Sequence, residues 1–361
     1  MSQASRRLMV GLAGEQLSDD ERRQLQTLPP FGVILFKWNM ASAGQTAALI
    51  AEVRALADPA PLLFVDQEGG PVDRIGPLLG LRFPSASHTA GKGVDRVHET
   101  AYLMGRAARL LGFDVDLAPV LDLAQPGTGA VVLAGRTYGF HAEEVALSAL
   151  VFLHGLKRAG IASCLKHFPG LGRGSLDTHL SMPVVDAHDV DLMMTDVAPF
   201  KSLARAADGV MVGHAAYPGF TGDSTPASLS PRIHQILRGP VGFDGVVYSD
   251  DLVMGALEGS LADRVERAAR AGCDVLCVRS MGDSYPELVS RVEALGPEDP
   301  AQSARLEELR RRCEAAPRVP FSADAWERLG DEVRQFLELL EKPRERRRQG
   351  GLEGSDGKAE E

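Results

Sequence analysis

The densest grouping of chemically capable side chains is the segment Lys166-His167-Phe168-Pro169-Gly170-Leu171-Gly172-Arg173-Gly174-Ser175-Leu176-Asp177-Thr178-His179. Its three glycines and one proline predict a loop rather than a helix. The Asp-x-His spacing lets Asp177 hold one ring nitrogen of His179, which fixes the tautomer and leaves the other nitrogen for proton transfer. An Asp-x-His alone is weak evidence, and its place in a glycine-rich loop strengthens it. The second candidate is Asp250, which ends the apolar run Gly245-Val246-Val247-Tyr248-Ser249. A carboxylate so placed can act as a nucleophile toward an acetal carbon. Asp251 competes with it, because neighbours on a strand point to opposite faces.

Other ionisable residues also follow apolar runs: Asp66 and Glu68, Asp122 and then Arg136, Lys166 and His167, and His214. Strands must stop, so chance explains one or two such positions. It explains the whole series poorly.

These residues need a scaffold that brings strand ends together. Short apolar runs occur at 8–12, 32–36, 62–66, 115–119, 161–166, 209–213, 245–249 and 274–278. Helical periodicity fills stretches between them, at 41–57, 98–111, 142–159 and 262–271. Strand then helix, repeated, is the pattern of a parallel sheet, and continuous apolar strands suit a sheet buried on both faces. Eight such units predict an α/β fold of the TIM-type (β/α)8 barrel, with the ionisable residues on its carboxyl-end rim. An open doubly wound sheet is the competitor, weakened because no G-x-G-x-x-G follows the first strand. Helices at 299–314 and 323–340 would close a single domain spanning residues 1–341. Residues 342–361 are rich in charge, Gly and Ser, with Leu352 the one large apolar side chain, and are expected to form a disordered tail.

Composition narrows the function classes. The 361 residues carry a net charge of -10, which leaves no basic footprint for nucleic acid and suits an anionic membrane surface poorly. The apolar stretch after Arg6-Arg7 stops at Glu15, too short for an export signal, and no run approaches a membrane span. A cytoplasmic protein is expected. Cys164, Cys273, Cys277 and Cys313 lack zinc-site spacing and read as reduced thiols. No His-x-His marks the first strand, so a metal-dependent barrel hydrolase is disfavoured and no metal is expected.

From about Gly32 to Val278 the chain resembles glycoside hydrolase family 3, in particular its single-domain bacterial β-N-acetylglucosaminidases of peptidoglycan recycling. The resemblance is carried, in order, by Gly32-Val33-Ile34-Leu35-Phe36, by Asp66-Gln67-Glu68-Gly69-Gly70 with Arg74, and by Asp116-Leu117-Ala118-Pro119-Val120-Leu121-Asp122. Gly135-Arg136-Thr137-Tyr138-Gly139, Lys166-His167-Phe168-Pro169-Gly170 with Asp177 and His179, and Ser249-Asp250-Asp251-Leu252 complete it. It implies Asp250 as nucleophile, His179 as general acid/base and Asp177 as its orienting partner. It implies Asp66, Arg74, Arg136, Lys166 and His167 as sugar binders. Asp116 and Asp122 are read as structural, and His214 as lying near the site. Pro71, Leu171 and Trp38 depart from the family pattern, where Arg, His and Arg respectively are common.

The resemblance further implies action without a cofactor on a small carbohydrate substrate, and a monomer is expected. That substrate would be an N-acetylglucosaminyl-anhydromuramoyl peptide or a relative, cleaved by a retaining double displacement. Phosphorolysis at the same centre, or another β-glycosidase activity of the family, is the alternative.

Overall fold

The computed structural model describes residues 4–125, 133–174, 182–297 and 299–342. Eight parallel strands form one sheet: β1 (Leu8–Gly11), β2 (Gly32–Leu35), β3 (Leu62–Val65), β4 (Val115–Asp116), β5 (Ala162–Phe168), β6 (Gly209–Val212), β7 (Val246–Ser249) and β8 (Leu276–Val278). Each pairs with its sequence neighbours, and β1 pairs with β8. The parallel bridge Tyr248↔Val275 and the bond from the Ser249 amide to the Val275 carbonyl bring β7 to β8 and close the ring. The expected (β/α)8 barrel is therefore the fold, and all eight expected strands are present.

Period-2 alternation divides the core in two. Met9, Ile34, Phe64, Met211, Tyr248 and Cys277 point into the barrel. Their neighbours Val10, Val33, Val65, Val212, Val247 and Val278 pack outward against the helices. Inside, the Phe64 and Tyr248 rings meet edge to face at 5.8 Å. Glycine on the adjoining strands makes room for them. A Cβ on Gly32 would lie 2.1 Å from Phe64 Cε2, and one on Gly209 would lie 2.4 Å from Tyr248 Cε2.

The amino end of the barrel is sealed. Leu306, Leu309 and Cys313 of helix Pro300–Ala315 join the interior cluster. Arg54, Arg109 and Arg318 converge on buried Asp114, and Arg238 and Arg305 on buried Asp274. These ion pairs fasten helices to strand starts and leave the carboxyl end as the open face, where barrel enzymes place their chemistry. All four cysteines are buried free thiols. Among the described residues, no helix is long and apolar enough to cross a membrane.

Two strand bounds differ from the expectation. β4 has only two residues, because Pro119 has no N–H for the ladder; pairing resumes at a single bridge, Val120↔Lys166. β5 runs on through Phe168, so Lys166 and His167 belong to the strand and not to the loop after it.

Candidate active site

A cavity of about 250 Å³ opens at the carboxyl ends of the strands. Asp66, Arg74, Arg136, Lys166, His167 and Asp250 all line it. Thus six of the eight expected site residues, contributed by chain segments far apart in sequence, meet around one space. Asp177 and His179 lie outside the described residues.

The first group is an ion network. Lys166, almost fully buried, places Nζ 2.6 Å from Asp66 Oδ1 and 2.6 Å from Glu68 Oε1. Arg136 grips Glu68 with two bonds, Nε to Oε2 at 2.7 Å and an η nitrogen to Oε1 at 2.8 Å. Burial would raise the Glu68 carboxyl, but the charges of Lys166 and Arg136 outweigh it and hold the group well below the usual carboxylate range. Burial would lower Lys166, and Asp66 and Glu68 reverse that, so the ammonium is raised above its ordinary value. Glu68, Lys166 and Arg136 are therefore all charged at neutral pH. Beneath them, burial with help from Asp66 and Glu68 pushes the Asp116 carboxyl well above its ordinary value.

Local structure explains the placement. The 68–72 turn is closed by bonds from the Glu68 and Gly69 amides to the Val72 carbonyl, with Gly69 at φ 82° and Gly70 at φ 56°. Gln67, fully buried, accepts from the Arg74 and Ile75 amides through Oε1 and donates to Asp73 through Nε2. This brace sets the direction of Arg74, whose Nε is buried with no hydrogen-bond partner among the described residues.

Lys166 and His167 both face the cavity although they are consecutive on a strand. The β5–β6 register slips between Leu165 and Phe168, and that irregularity breaks the usual alternation. His167 Nδ1 lies 2.7 Å from Asp122 Oδ2, while Asp122 Oδ1 accepts from the His167 and Leu171 amides. A carboxylate can only accept, so Nδ1 carries the hydrogen and Nε2 is the polar atom left for the cavity.

Asp250 follows β7 directly, with its amide bonded to the Val212 carbonyl. Its Oδ1 accepts from the Asp251 amide at 2.8 Å, and no described residue bonds Oδ2. Burial would raise this carboxyl. The imidazoles of His214 and His167, the Asp251 amide and Lys166 outweigh it, so the net shift is downward. Asp251 is differently occupied: Oδ1 accepts from the Val253 and Arg279 amides, and Oδ2 lies 3.4 Å from Arg279 Nε. Both aspartates line the cavity, and Asp251 has the more partners of the two. His214 sits fully buried between Ser228 Oγ (2.8 Å to Nδ1) and the Asp251 carbonyl (2.9 Å to Nε2), and so stiffens that corner.

Glu68 is a cavity residue that neither its spacing nor the resemblance marks as a sugar binder. Its signal is its place at a strand end. Asp122, read as structural, is the partner that orients His167. Trp38, Met254 and Arg279 also line the cavity. Among the described residues no cluster of His, Cys, Asp and Glu could hold a metal ion.

A closed parallel barrel with carboxylates, imidazoles and cations gathered over its carboxyl ends is the constellation of a (β/α)8-barrel enzyme. The chain belongs to glycosyl hydrolase family 3, whose N-terminal domain signature matches residues 7–311, and it is a glycoside hydrolase. A β-hexosaminidase of Thioalkalivibrio sulfidiphilus is 36% identical over 335 residues, 89% of this chain and 93% of its own. Native NagZ from Neisseria gonorrhoeae superposes with a TM-score of 0.78 at 28% identity, covering 93% of this chain and 98% of that one. A family 3 β-N-acetylglucosaminidase from Paenibacillus superposes with a TM-score of 0.81 at 29% identity, over 92% of this chain and 68% of that one.

Proposed function

We propose that the protein is a β-N-acetylhexosaminidase that removes terminal, non-reducing β-linked N-acetylglucosamine by a retaining double displacement. The observation that carries this reading is Asp250: a carboxylate held ionised at the cavity, with one oxygen anchored and the other unbonded among the described residues. The names of the similar proteins support the sugar. The cavity of about 250 Å³ gathers the polar groups that would bind the transferred sugar.

In the first step Asp250 attacks the anomeric carbon. The bond from that carbon to the departing oxygen breaks, and His179, oriented by Asp177, gives that oxygen a proton. In the second step His179 takes a proton from water, and the water oxygen displaces Asp250, restoring both groups. The sugar leaves with its configuration retained. Asp66, Lys166, Arg136, Arg74 and His167 hold the hydroxyls so that the anomeric carbon lies in line with Asp250. Peptidoglycan-derived muropeptides as substrates, implied by the sequence resemblance, complete the reading, together with the expected cytoplasmic location and monomeric state.

Asp250→Ala is expected to lower turnover of an aryl N-acetyl-β-glucosaminide to background while leaving the circular dichroism spectrum unchanged. Near-normal turnover by the folded variant would overturn the assignment. The same assay with and without phosphate separates hydrolysis from phosphorolysis, since a sugar 1-phosphate product would replace the hydrolytic reading.

A further inference from the structure

The chain has two tryptophans, and the structure treats them differently. Trp326 is buried, as such rings usually are. Trp38 is 41% exposed and lines the same cavity as Asp250. It is also held rigidly. Its ring lies on Phe36 at 4.5 Å and 14°, and its Nε1 donates to the Leu12 carbonyl at 3.1 Å. Next to it, buried Asn39 pins the turn by accepting from the Phe36 amide and donating to the Leu12 and Gly14 carbonyls. A flat aromatic ring at the cavity, fixed in orientation, offers a preformed apolar face to a ligand.

The rim is therefore divided by chemistry. Hydrogen-bonding groups come from the ends of β3 and β5, the loop after β4 and, through Arg279, the end of β8, and the nucleophile from the end of β7. The β2 end contributes no ion pair or free donor to the cavity but a flat hydrocarbon face. The polar side provides for the hydroxyls of the sugar that is retained. The apolar side is left for the other half of the substrate.

We propose that Trp38, backed by Phe36, is the platform for the departing residue, and that it takes the C–H face of a second pyranose ring. This rests on the reading that the cavity cleaves a glycosidic bond. Stacking there would hold the leaving group during the first chemical step and play no part in the second, when that group has gone. Trp38 would thus set which aglycones are accepted without affecting the sugar that is transferred.

The test compares Trp38→Ala and Trp38→Phe with the unaltered protein on two substrates. One is the β-1,4-linked disaccharide of N-acetylglucosamine. The other is the β-fluoride of the same sugar, whose leaving group is too small to reach the ring. For Trp38→Ala, kcat/KM on the disaccharide should fall roughly tenfold, the worth of one aromatic contact of about 1.4 kcal/mol. On the fluoride kcat/KM should be unchanged, as should inhibition by free N-acetylglucosamine. Trp38→Phe should recover most of the loss. Equal losses on both substrates, with weaker inhibition by the monosaccharide, would place Trp38 on the retained sugar and overturn the proposal. No loss on either substrate would also overturn it. Failure of the unaltered protein to cleave either substrate would instead refute the hexosaminidase reading.

Discussion

Replacing Glu68 by Gln tests the ion network most directly. Glu68 accepts from Lys166 at 2.6 Å and from Arg136 at 2.7 and 2.8 Å, all within the protein interior. Asp66 and Glu68 balance Lys166 and Arg136, so Gln leaves one uncompensated positive charge in a buried site. Breaking a buried pair in this way costs about 3–5 kcal/mol. Lys166 keeps Asp66 as a partner, so the lower end applies, about 3 kcal/mol. Equilibrium urea unfolding at pH 7 would read this as a lower midpoint with little change in slope.

The pH dependence sharpens the test. The folded Glu68 carboxyl titrates below its ordinary value of 4.5, so as the pH falls the unfolded chain takes up the proton first. Its stabilisation is therefore complete above about pH 5 and is lost as the pH drops toward the folded value. The gap between the unaltered protein and Glu68→Gln should be full at pH 7 and narrower at pH 3.5. A variant within about 0.5 kcal/mol of the unaltered protein at pH 7 would refute the reasoning, because surface changes produce no more than that. So would a gap that widens in acid.

Other outcomes follow from the same geometry. Asp122→Asn offers one acceptor where the aspartate has two; an amide turned to His167 would donate to Nδ1 and move the ring hydrogen to Nε2. The expected loss of kcat/KM is about 10- to 100-fold for one charge-assisted bond, with the tautomer change visible in imidazole nitrogen NMR; an unchanged tautomer would sink this account. Because Asp250 is held below its ordinary value of 3.8, its ionisation should add no acid limb to the kcat/KM profile above about pH 4. A limb between pH 5 and 7 that disappears in an Asp250→Glu variant would contradict this. All four thiols are buried, and burial raises each above its ordinary value; a thiol reagent at pH 8 should label the native protein slowly and the urea-unfolded chain fully, and rapid native labelling would show that one of them is accessible.

Much of the scaffold was legible before any coordinates. Strands such as Leu62-Leu63-Phe64-Val65, buried on both faces, announce themselves as short continuous apolar runs. The helix at Ala142–Ala159 lies where its periodicity placed it. Strand ends are where a barrel gathers its chemistry, so Asp66, Lys166, His167 and Asp250 could be selected by position. Asp177 and His179, marked by their Asp-x-His spacing in a glycine-rich loop and by the resemblance, fall outside the described residues.

What the tertiary structure decided is which of these charges meet. Lys166 and Asp66 are 100 residues apart, Arg136 and Glu68 are 68 apart, and His167 and Asp122 are 45 apart. No local pattern encodes such pairs, because they depend on which strands are neighbours and in what register. The same holds for the slipped register that turns both Lys166 and His167 inward. It holds for the different partners of Asp250 and Asp251, since Arg279 and the 251–253 turn engage only the second carboxylate. Local sequence sets hydrophobic periodicity and the kinds of groups available. Their ionisation and direction are set by burial and by partners that only chain closure brings within hydrogen-bond distance.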